Sequence, residues 1–107
     1  MNNKTYHIFF SKLASPLKIE IISLLKKNEK GLSVNEITKT MWIEQSKLSH
    51  ALADLRSCNL VIVKQKGKQR IYSLNKETML PILEIIDKHA QSYCGGNCAY
   101  CAKCEEN

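Results

Sequence analysis

The chain has 107 residues, of which 44% are hydrophobic, and it carries 16 lysines and arginines against 10 aspartates and glutamates. This length allows one small domain with its own core and leaves no room for a second, while the hydrophobic fraction is too high for a disordered chain. The formal charge of +6 favours polyanionic partners such as nucleic acid.

The N-terminal segment has no apolar run long enough for a signal peptide, and no window of the sequence approaches the ~20 apolar residues that a membrane span requires. We therefore expect a cytoplasmic protein with no membrane association. In that reducing compartment cysteines seldom form structural disulfides, so closely spaced thiols point to metal binding or redox chemistry.

Helices are predicted in the first third of the chain. Ser15 and Pro16 supply a hydroxyl cap and a favoured first helical residue. Leucines and isoleucines then recur at helical spacing towards Gly31, which can end the helix in the left-handed conformation. Residues 6–13 are expected to form another helical turn or two before it. Ser33 and Glu36 have the spacing of a capping box, which predicts that another short helix begins there.

A further helix, from about Gln45 to Arg56, is predicted to have two unlike faces. The inward face carries Leu48, Leu52 and Leu55, and the opposite face carries Ser46, Ser49, His50 and Ala53. Two short helices joined by a tight turn, the second with small polar groups outward, are typical of a helix-turn-helix that binds DNA.

Two β-branched segments, residues 60–63 and 71–74, predict a hairpin after this helix pair, with Gly67 in its turn. The cations of the hairpin tip lie on either side of that glycine and are Lys64, Lys66, Lys68 and Arg70. Such lysines can protect the edge of a small sheet. Because the hairpin follows a helix-turn-helix, we favour contact with DNA phosphates instead.

The last predicted helix runs from about Thr78 to Tyr93, with Pro81 in its first turn. Its apolar stripe comprises Met79, Ile82, Leu83, Ile86, His89, Ala90 and Tyr93. A chain this short cannot cover so much apolar surface in its own core, so we expect this helix to pack against its copy in a homodimer. Two-fold symmetry would place two recognition helices in successive major grooves of a palindromic DNA site.

The end of the chain has a different composition. Four of the five cysteines lie within eleven positions, as Cys94, Cys98, Cys101 and Cys104. We therefore divide the chain into a domain of residues 1–93 and a tail of residues 94–107. Four thiolates can close a tetrahedral zinc site, and so compact a run also suits an iron–sulfur cluster. An arsenic- or cadmium-type inducer and a thiol redox switch remain alternatives. Cys58 lies apart and is predicted to be a buried, inert thiol.

Residues 8–93 resemble the ArsR/SmtB winged-helix repressors. The likeness rests on the order of the elements, on the Ser-x-x-Ser-His-x-Leu run from Ser46 to Leu52, and on Tyr72-Ser73-Leu74. It implies a mainly α fold with a small β-hairpin, a winged helix-turn-helix that dimerises through its terminal helices. It further implies a dimeric repressor that leaves its operator when an inducer, usually a metal or metalloid ion, binds. By the same likeness Gln45, Ser46, Lys47, Ser49 and His50 would face the major groove, and Lys64, Lys66, Lys68 and Arg70 would hold the flanking DNA backbone.

The sequence departs from two metal sites of that family. Its arsenic and cadmium sensors carry paired cysteines on the first helix of the motif, whereas residues 35–42 contain none. Its zinc-sensing members place an Asp-x-His pair on the last helix and complete it with a histidine and a carboxylate about three turns later. Asp87 and His89 match only the first half of that site. We therefore expect any sensing to fall to the cysteine tail.

The sequence thus predicts a sequence-specific DNA-binding transcriptional regulator whose operator binding responds to a metal, an iron–sulfur cluster or the thiol redox state at the C-terminal cysteines. The alternative is a small iron–sulfur redox carrier or accessory subunit with a helical docking body, against which the basic hairpin argues. No enzyme is expected, because the sequence contains no nucleophile–base pair, phosphate-binding glycine loop or paired carboxylates.

Overall fold

The computed structural model describes residues 2–93, which form two compact units divided between Asn75 and Lys76. The first unit consists of α1 (Asn3–Leu13), α2 (Pro16–Lys27), β1 (Leu32–Ser33), α3 (Val34–Met41), α4 (Gln45–Ser57), β2 (Val61–Lys66) and β3 (Gln69–Leu74). The described part of the second unit is α5 (Lys76–Tyr93). No helix in residues 2–93 is both long enough and apolar enough to cross a bilayer. The predicted mainly α architecture with a small sheet is confirmed.

The core of the first unit is built from one face each of α2, α3 and α4 and from the inner face of the sheet. Its buried apolar side chains are Ile21, Ile22, Leu25, Ile37, Leu48, Ala51, Leu52, Leu55, Leu60, Val61, Tyr72 and Leu74. The inward face predicted for α4 is confirmed, because its three leucines are at most 1% exposed. In α2 the burial is shifted: Ile22 is buried, whereas Leu17 and Leu24, which helical spacing placed inward, are only half-buried.

The predicted starts of α2 and α3 are both confirmed by their caps. The Ser15 hydroxyl oxygen accepts a hydrogen bond from the Lys18 backbone N–H at 3.3 Å. At α3 the Glu36 N–H donates to Ser33 Oγ at 3.2 Å, and the Ser33 N–H donates to Glu36 Oε1 at 2.9 Å. The second of these bonds, from the Ser33 backbone, is the main reason why the pKa of the Glu36 carboxyl lies below its usual range. A complete capping box therefore fixes the start of the helix-turn-helix.

The segment between α2 and α3 differs from the prediction. α2 ends at Lys27 with Asn28 as its cap, so the prediction that Gly31 ends this helix is wrong. Gly31 does have a positive φ of +89°, but it leads into β1, a strand that was not predicted. β1 pairs antiparallel with β3, with Leu32 opposite Tyr72, and the sheet order is β1-β3-β2. A strand of two residues is too short to show the alternation by which strands are predicted.

The predicted hairpin is confirmed, and its strands extend further towards the tip than expected. β2 and β3 are paired from Val61 opposite Leu74 to Lys66 opposite Gln69, which leaves Gly67 and Lys68 as a two-residue turn. Gly67 has a φ of +63° whereas Lys68 has a negative φ, as in a type II′ turn, which matches the twist of the flanking strands. We call this hairpin, residues 61–74, the wing.

The terminal helices are both longer than predicted. α1 begins at Asn3, where Asn2 Oδ1 accepts a hydrogen bond from the Thr5 N–H at 3.0 Å. α5 begins at Lys76 rather than Thr78, so Pro81 lies in its second turn and not in its first. Because proline has no N–H, the helix lacks the hydrogen bond that residue 81 would otherwise donate to the carbonyl of residue 77.

Asp54 on α4 connects this helix to both N-terminal helices. Its carboxylate accepts hydrogen bonds from Lys12 Nζ on α1 at 2.9 Å and from Lys18 Nζ on α2 at 2.6 Å. These contacts, with the Lys18 hydrogen bond the largest, lower the pKa of Asp54 to about 2. Because the pKa is lowered, the two ion pairs stabilise the fold above the ordinary carboxyl pKa, and this stabilisation is lost as the pH falls towards 2.

The turn between α3 and α4 contains a tryptophan in an unfavourable backbone conformation. Trp42 has φ 54° and ψ 49°, in the left-handed region, and its N–H bonds to the Thr38 carbonyl. Its side chain is 93% exposed. A residue with a Cβ loses about 1–2 kcal/mol in this conformation, and an exposed indole recovers little of that loss by burial. The turn is therefore strained at this position.

Replacing Trp42 by glycine is expected to raise the free energy of unfolding by about 1 kcal/mol, since glycine relieves the strain but also gains freedom in the unfolded chain. Trp42→Ala keeps the Cβ and the positive φ, and is expected to leave the stability close to that of the wild type. Urea denaturation followed by circular dichroism measures both variants. Equal stabilisation of the two would mean that the indole, and not the backbone, is the source of the strain.

Candidate nucleic-acid interface

The polar residues predicted to face DNA lie together on the N-terminal half of α4. Gln45, Ser46, Lys47, Ser49 and His50 are all exposed, and the buried face of the same helix lies behind them. A helix of 13 residues is about 20 Å long, and a helix of this kind fits the B-DNA major groove, which is about 12 Å wide. These side chains can present both hydrogen-bond donors and hydrogen-bond acceptors to the edges of bases.

Three of the four wing cations lie on the paired strands, and these three are divided between the two faces of the hairpin. Side chains alternate along a strand, and the register sets Lys64 opposite Ile71, Lys66 opposite Gln69, and Gln65 opposite Arg70. Lys64 and Lys66 therefore lie on one face of the hairpin, and Arg70 lies on the other. The sequence prediction treated these cations as one group, which the register does not support.

A cleft beside the wing adjoins the recognition helix. This cleft of about 220 Å³, which we call the inner cleft, is lined by Gln45 of α4, by Lys68 and Arg70 of the wing, and by Asn35 in the first turn of α3. The structure thus brings two wing cations together with the start of α4. Asn35 was not predicted as a site residue, although its place next to the α3 cap was a signal that could have drawn attention to it.

A second cleft beside the wing adjoins the loop that precedes β1. This cleft of about 650 Å³, which we call the outer cleft, is lined by Lys64 and Lys66 of the wing and by Lys30 and Glu36. The structure does not bring Lys64 and Lys66 to the cleft that contains Gln45. Lys30 was not predicted either, because a single lysine in a loop has no pattern that could mark it.

The charges of both clefts are available to an outside partner. Within residues 2–93, no carboxylate forms an ion pair with Lys30, with Lys47 of α4 or with any of the four wing cations. Phosphates of a nucleic acid are the partners that such unpaired cations attract, with release of condensed counterions.

Within residues 2–93, no three histidine, cysteine, aspartate or glutamate side chains come together in a group that could hold a metal ion. His89 is exposed and its ring lies against that of Tyr93, with centroids 5.1 Å apart. Cys58 is half-buried rather than buried, and its sulfur accepts a hydrogen bond from Ser57 Oγ at 3.9 Å. The predicted ligands Cys94, Cys98, Cys101 and Cys104 lie outside the described residues.

Comparison with known proteins identifies the family. The family described as "Bacterial regulatory protein, arsR family" matches residues 15–63, from the cap of α2 into β2. The transcriptional repressor SmtB homolog of Synechocystis sp. is 32% identical over 83 residues, which cover 78% of this chain and 61% of that relative. The match thus spans less than two thirds of that protein's length.

Two mycobacterial proteins extend the comparison. The uncharacterized HTH-type transcriptional regulator Rv0081 of Mycobacterium tuberculosis is 33% identical over 81 residues, which cover 75% of this chain and 69% of that relative. The match to the crystal structure of Rv0081 covers 79% of this chain and 84% of the Rv0081 chain, with a TM-score of 0.71. A second similar structure is the homodimeric winged helix-turn-helix DNA-binding domain of Mb0332 from Mycobacterium bovis. The match covers 92% of this chain and 89% of the Mb0332 chain, with a TM-score of 0.76. Because the sequences are only 17% identical, this likeness shows the fold alone. These relatives are regulators and not enzymes, in agreement with the sequence prediction. The chain therefore belongs to the ArsR family of bacterial regulatory proteins.

Proposed function

We propose that this protein is a dimeric repressor that binds a palindromic operator and responds to a ligand at its C-terminal cysteines. In this proposal Gln45, Ser46, Lys47, Ser49 and His50 contact the edges of bases in the major groove. Lys64, Lys66, Lys68 and Arg70 contact phosphates. The observation that carries the proposal is the exposed polar face of α4 beside unpaired wing cations, with Gln45, Lys68 and Arg70 in one cleft.

The terminal helices support the dimer. α1 has no buried residue and exposes Tyr6, Phe10 and Ile8, while α5 exposes Ile85 to 66% and Tyr93 to 78%. Large apolar side chains exposed on a helix are the usual mark of a surface that a partner covers. A second copy is the partner that a palindromic operator requires, since two recognition helices must reach two half-sites one helical turn apart.

The donor chemistry of the tail supports a soft ligand. Four thiolates within eleven residues suit Zn²⁺, an iron–sulfur cluster or an arsenic- or cadmium-type ion, and oxygen-preferring ions such as Mg²⁺ do not match them. Cys94, Cys98, Cys101 and Cys104 would hold the ligand. Bound zinc or a cluster would supply a fixed coordination centre for these thiolates.

The position of the tail in the sequence suggests how the response reaches DNA. Cys94 follows directly after Tyr93, the last residue of α5. In our proposal, folding of the tail around its ligand changes how the two copies of α5 pack, and hence the spacing of the two recognition helices. A change in that spacing alters operator affinity because both half-sites must be contacted at once.

The test begins with protein purified without oxygen, in which iron, sulfide and zinc are measured per subunit. In a Cys98→Ser/Cys101→Ser double variant we expect the bound metal to be lost and the operator affinity to become insensitive to chelators and to added metal. Basal affinity is expected to stay within about 2-fold, because the cations and the α4 face are unchanged.

Cys58→Ser is the matched control and should keep both metal and response. Loss of DNA binding in the double variant would show that the tail is structural, and a wild-type protein indifferent to chelators would exclude sensing. A redox carrier with a docking body would instead show no salt-dependent binding to duplex DNA. A repressor with 6–10 phosphate contacts should lose about 10³–10⁵ in affinity between 50 and 200 mM salt.

A further inference from the structure

Trp42, the C-cap of α3, is a large apolar side chain that gains almost no burial in the described fold. Among the exposed large apolar side chains of residues 2–93 it is the most exposed, at 93%. Its backbone lies in the left-handed region, which disfavours any residue with a Cβ. A strained residue whose side chain the core does not bury points to a function outside the folded monomer.

Trp42 borders a groove of about 540 Å³ at the junction of α3 and α4, which we call the turn groove. Its lining residues are Thr38, Lys39, Trp42, Ile43 and Glu44. Lys39 and Glu44 form no ion pair within residues 2–93, and one cation with one carboxylate leaves a local charge near zero. Phosphates are drawn to net positive charge, so they are not the ligand that this groove favours. The side chains of Trp42 and Ile43 offer an apolar contact instead.

The turn groove continues the surface that faces DNA in our proposal. On α3, helical spacing sets Asn35, Thr38 and Lys39 on one face. Asn35 lines the inner cleft together with Gln45, whereas Thr38 and Lys39 line the turn groove. On α4, Gln45 is the first helical residue and Glu44 before it is the N-cap. A duplex that contacts the inner cleft therefore has the turn groove beside it.

We propose that Trp42 packs against the 5-methyl group of a thymine at the edge of each half-site, and so determines part of the sequence specificity. This inference rests on the proposed function. The N-terminal residues of a recognition helix meet base edges in the major groove. Trp42 precedes Gln45 by three residues, a span of at most about 11 Å. In the major groove thymine presents an apolar methyl group, which an apolar side chain can read by contact.

The test combines one change in the protein with one change in the DNA. The wild type and Trp42→Ala each select operators from a random-sequence library, and a thymine that only the wild type enriches marks the contacted position. Deoxyuridine at this position in both half-sites removes only the methyl groups. Wild-type affinity is expected to fall about 15-fold, since each buried methyl group contributes about 4-fold and each dimer loses two. Trp42→Ala should bind the two duplexes with affinities that differ by less than about 2-fold.

Trp42→Phe is the matched protein control, because its ring can still contact the methyl group and should retain part of the preference for thymine. The matched DNA control is deoxyuridine at a thymine outside the half-sites, which should leave wild-type affinity unchanged. Urea denaturation verifies that both variants remain folded. If no thymine is enriched, or if methyl removal weakens the wild type and Trp42→Ala equally, the proposal is overturned.

The fluorescence of the wild type gives a second measurement, because Trp42 is the sole tryptophan of the chain. Operator binding is expected to reduce quenching of its emission by acrylamide, since a base covers the indole. Equal quenching with and without operator would overturn the proposal and leave the turn groove to a partner other than DNA. Failure of the wild type to bind any operator would overturn both this inference and the proposed function. Equal affinity for the thymine and deoxyuridine operators would overturn this inference alone.

Discussion

A protein with Gly31 replaced by alanine is expected to lose about 3 kcal/mol of its free energy of unfolding. Gly31 has a φ of +89°, and an added Cβ would lie 2.7 Å from Ile71 Cγ2 and 2.8 Å from the Tyr72 carbonyl oxygen. The left-handed conformation alone costs about 1–2 kcal/mol, and a contact with a backbone atom adds further strain. The Tyr72 carbonyl cannot move away freely, since Tyr72 is paired with Leu32 in the β1–β3 ladder.

The wing supplies the control for this substitution. Gly67 also has a positive φ, of +63°, but a Cβ built there meets no atom within 4 Å. Gly67→Ala is therefore expected to lower the free energy of unfolding only by the cost of the left-handed conformation, about 1 kcal/mol. Urea denaturation of both variants gives the steric contribution at Gly31 as the difference between the two losses. If the losses are equal, β1 moves away from β3 to accommodate the new methyl group.

The contrast between these two glycines shows what could be predicted from the sequence. Gly67 lies between two strands of β-branched residues, and its role in the turn follows from local pattern. Gly31 was assigned to a helix end because its neighbours in sequence suggested one. Its actual constraint comes from Ile71 and Tyr72, about forty residues later in the chain. A contact of that kind depends on the register of the sheet, which no local pattern encodes.

The same distinction applies to the candidate site. The two faces of α4 follow from its periodicity, and Leu48 and Leu52 are buried as predicted. The division of the wing cations depends on the strand register up to the turn. The predicted strands end at residue 63 and begin again at residue 71, so Lys64, Lys66 and Arg70 fell in a predicted loop, where side chains have no regular alternation between faces. Some residues that line the clefts, such as Lys30, come from loops and helix starts. Their place in a cleft depends on tertiary packing alone.

Removing the Gln45 and His50 side chains from the α4 face should reduce operator affinity by at least about 1,000-fold. A good contact to a base edge contributes about 1–3 kcal/mol, and in a two-fold symmetric complex each substitution removes two contacts. In the proposed complex, a Gln45→Ala/His50→Ala variant would lack four base contacts. Binding to a scrambled duplex of the same length should change little, because the cations that contact phosphates are retained.

Lys68→Ala/Arg70→Ala is the informative comparison, since these two residues share the inner cleft with Gln45. Loss of four phosphate contacts per dimer should weaken binding to operator and scrambled duplex by the same factor. It should also lower the slope of log K against log salt by about 3 to 4. Titrations of both variants at several salt concentrations separate the two kinds of contact. The contrary outcome is that the Gln45→Ala/His50→Ala variant binds operator and scrambled duplex more weakly by the same factor. In that case α4 would only position the protein on DNA, and the protein's sequence preference would have to arise from the shape of the operator.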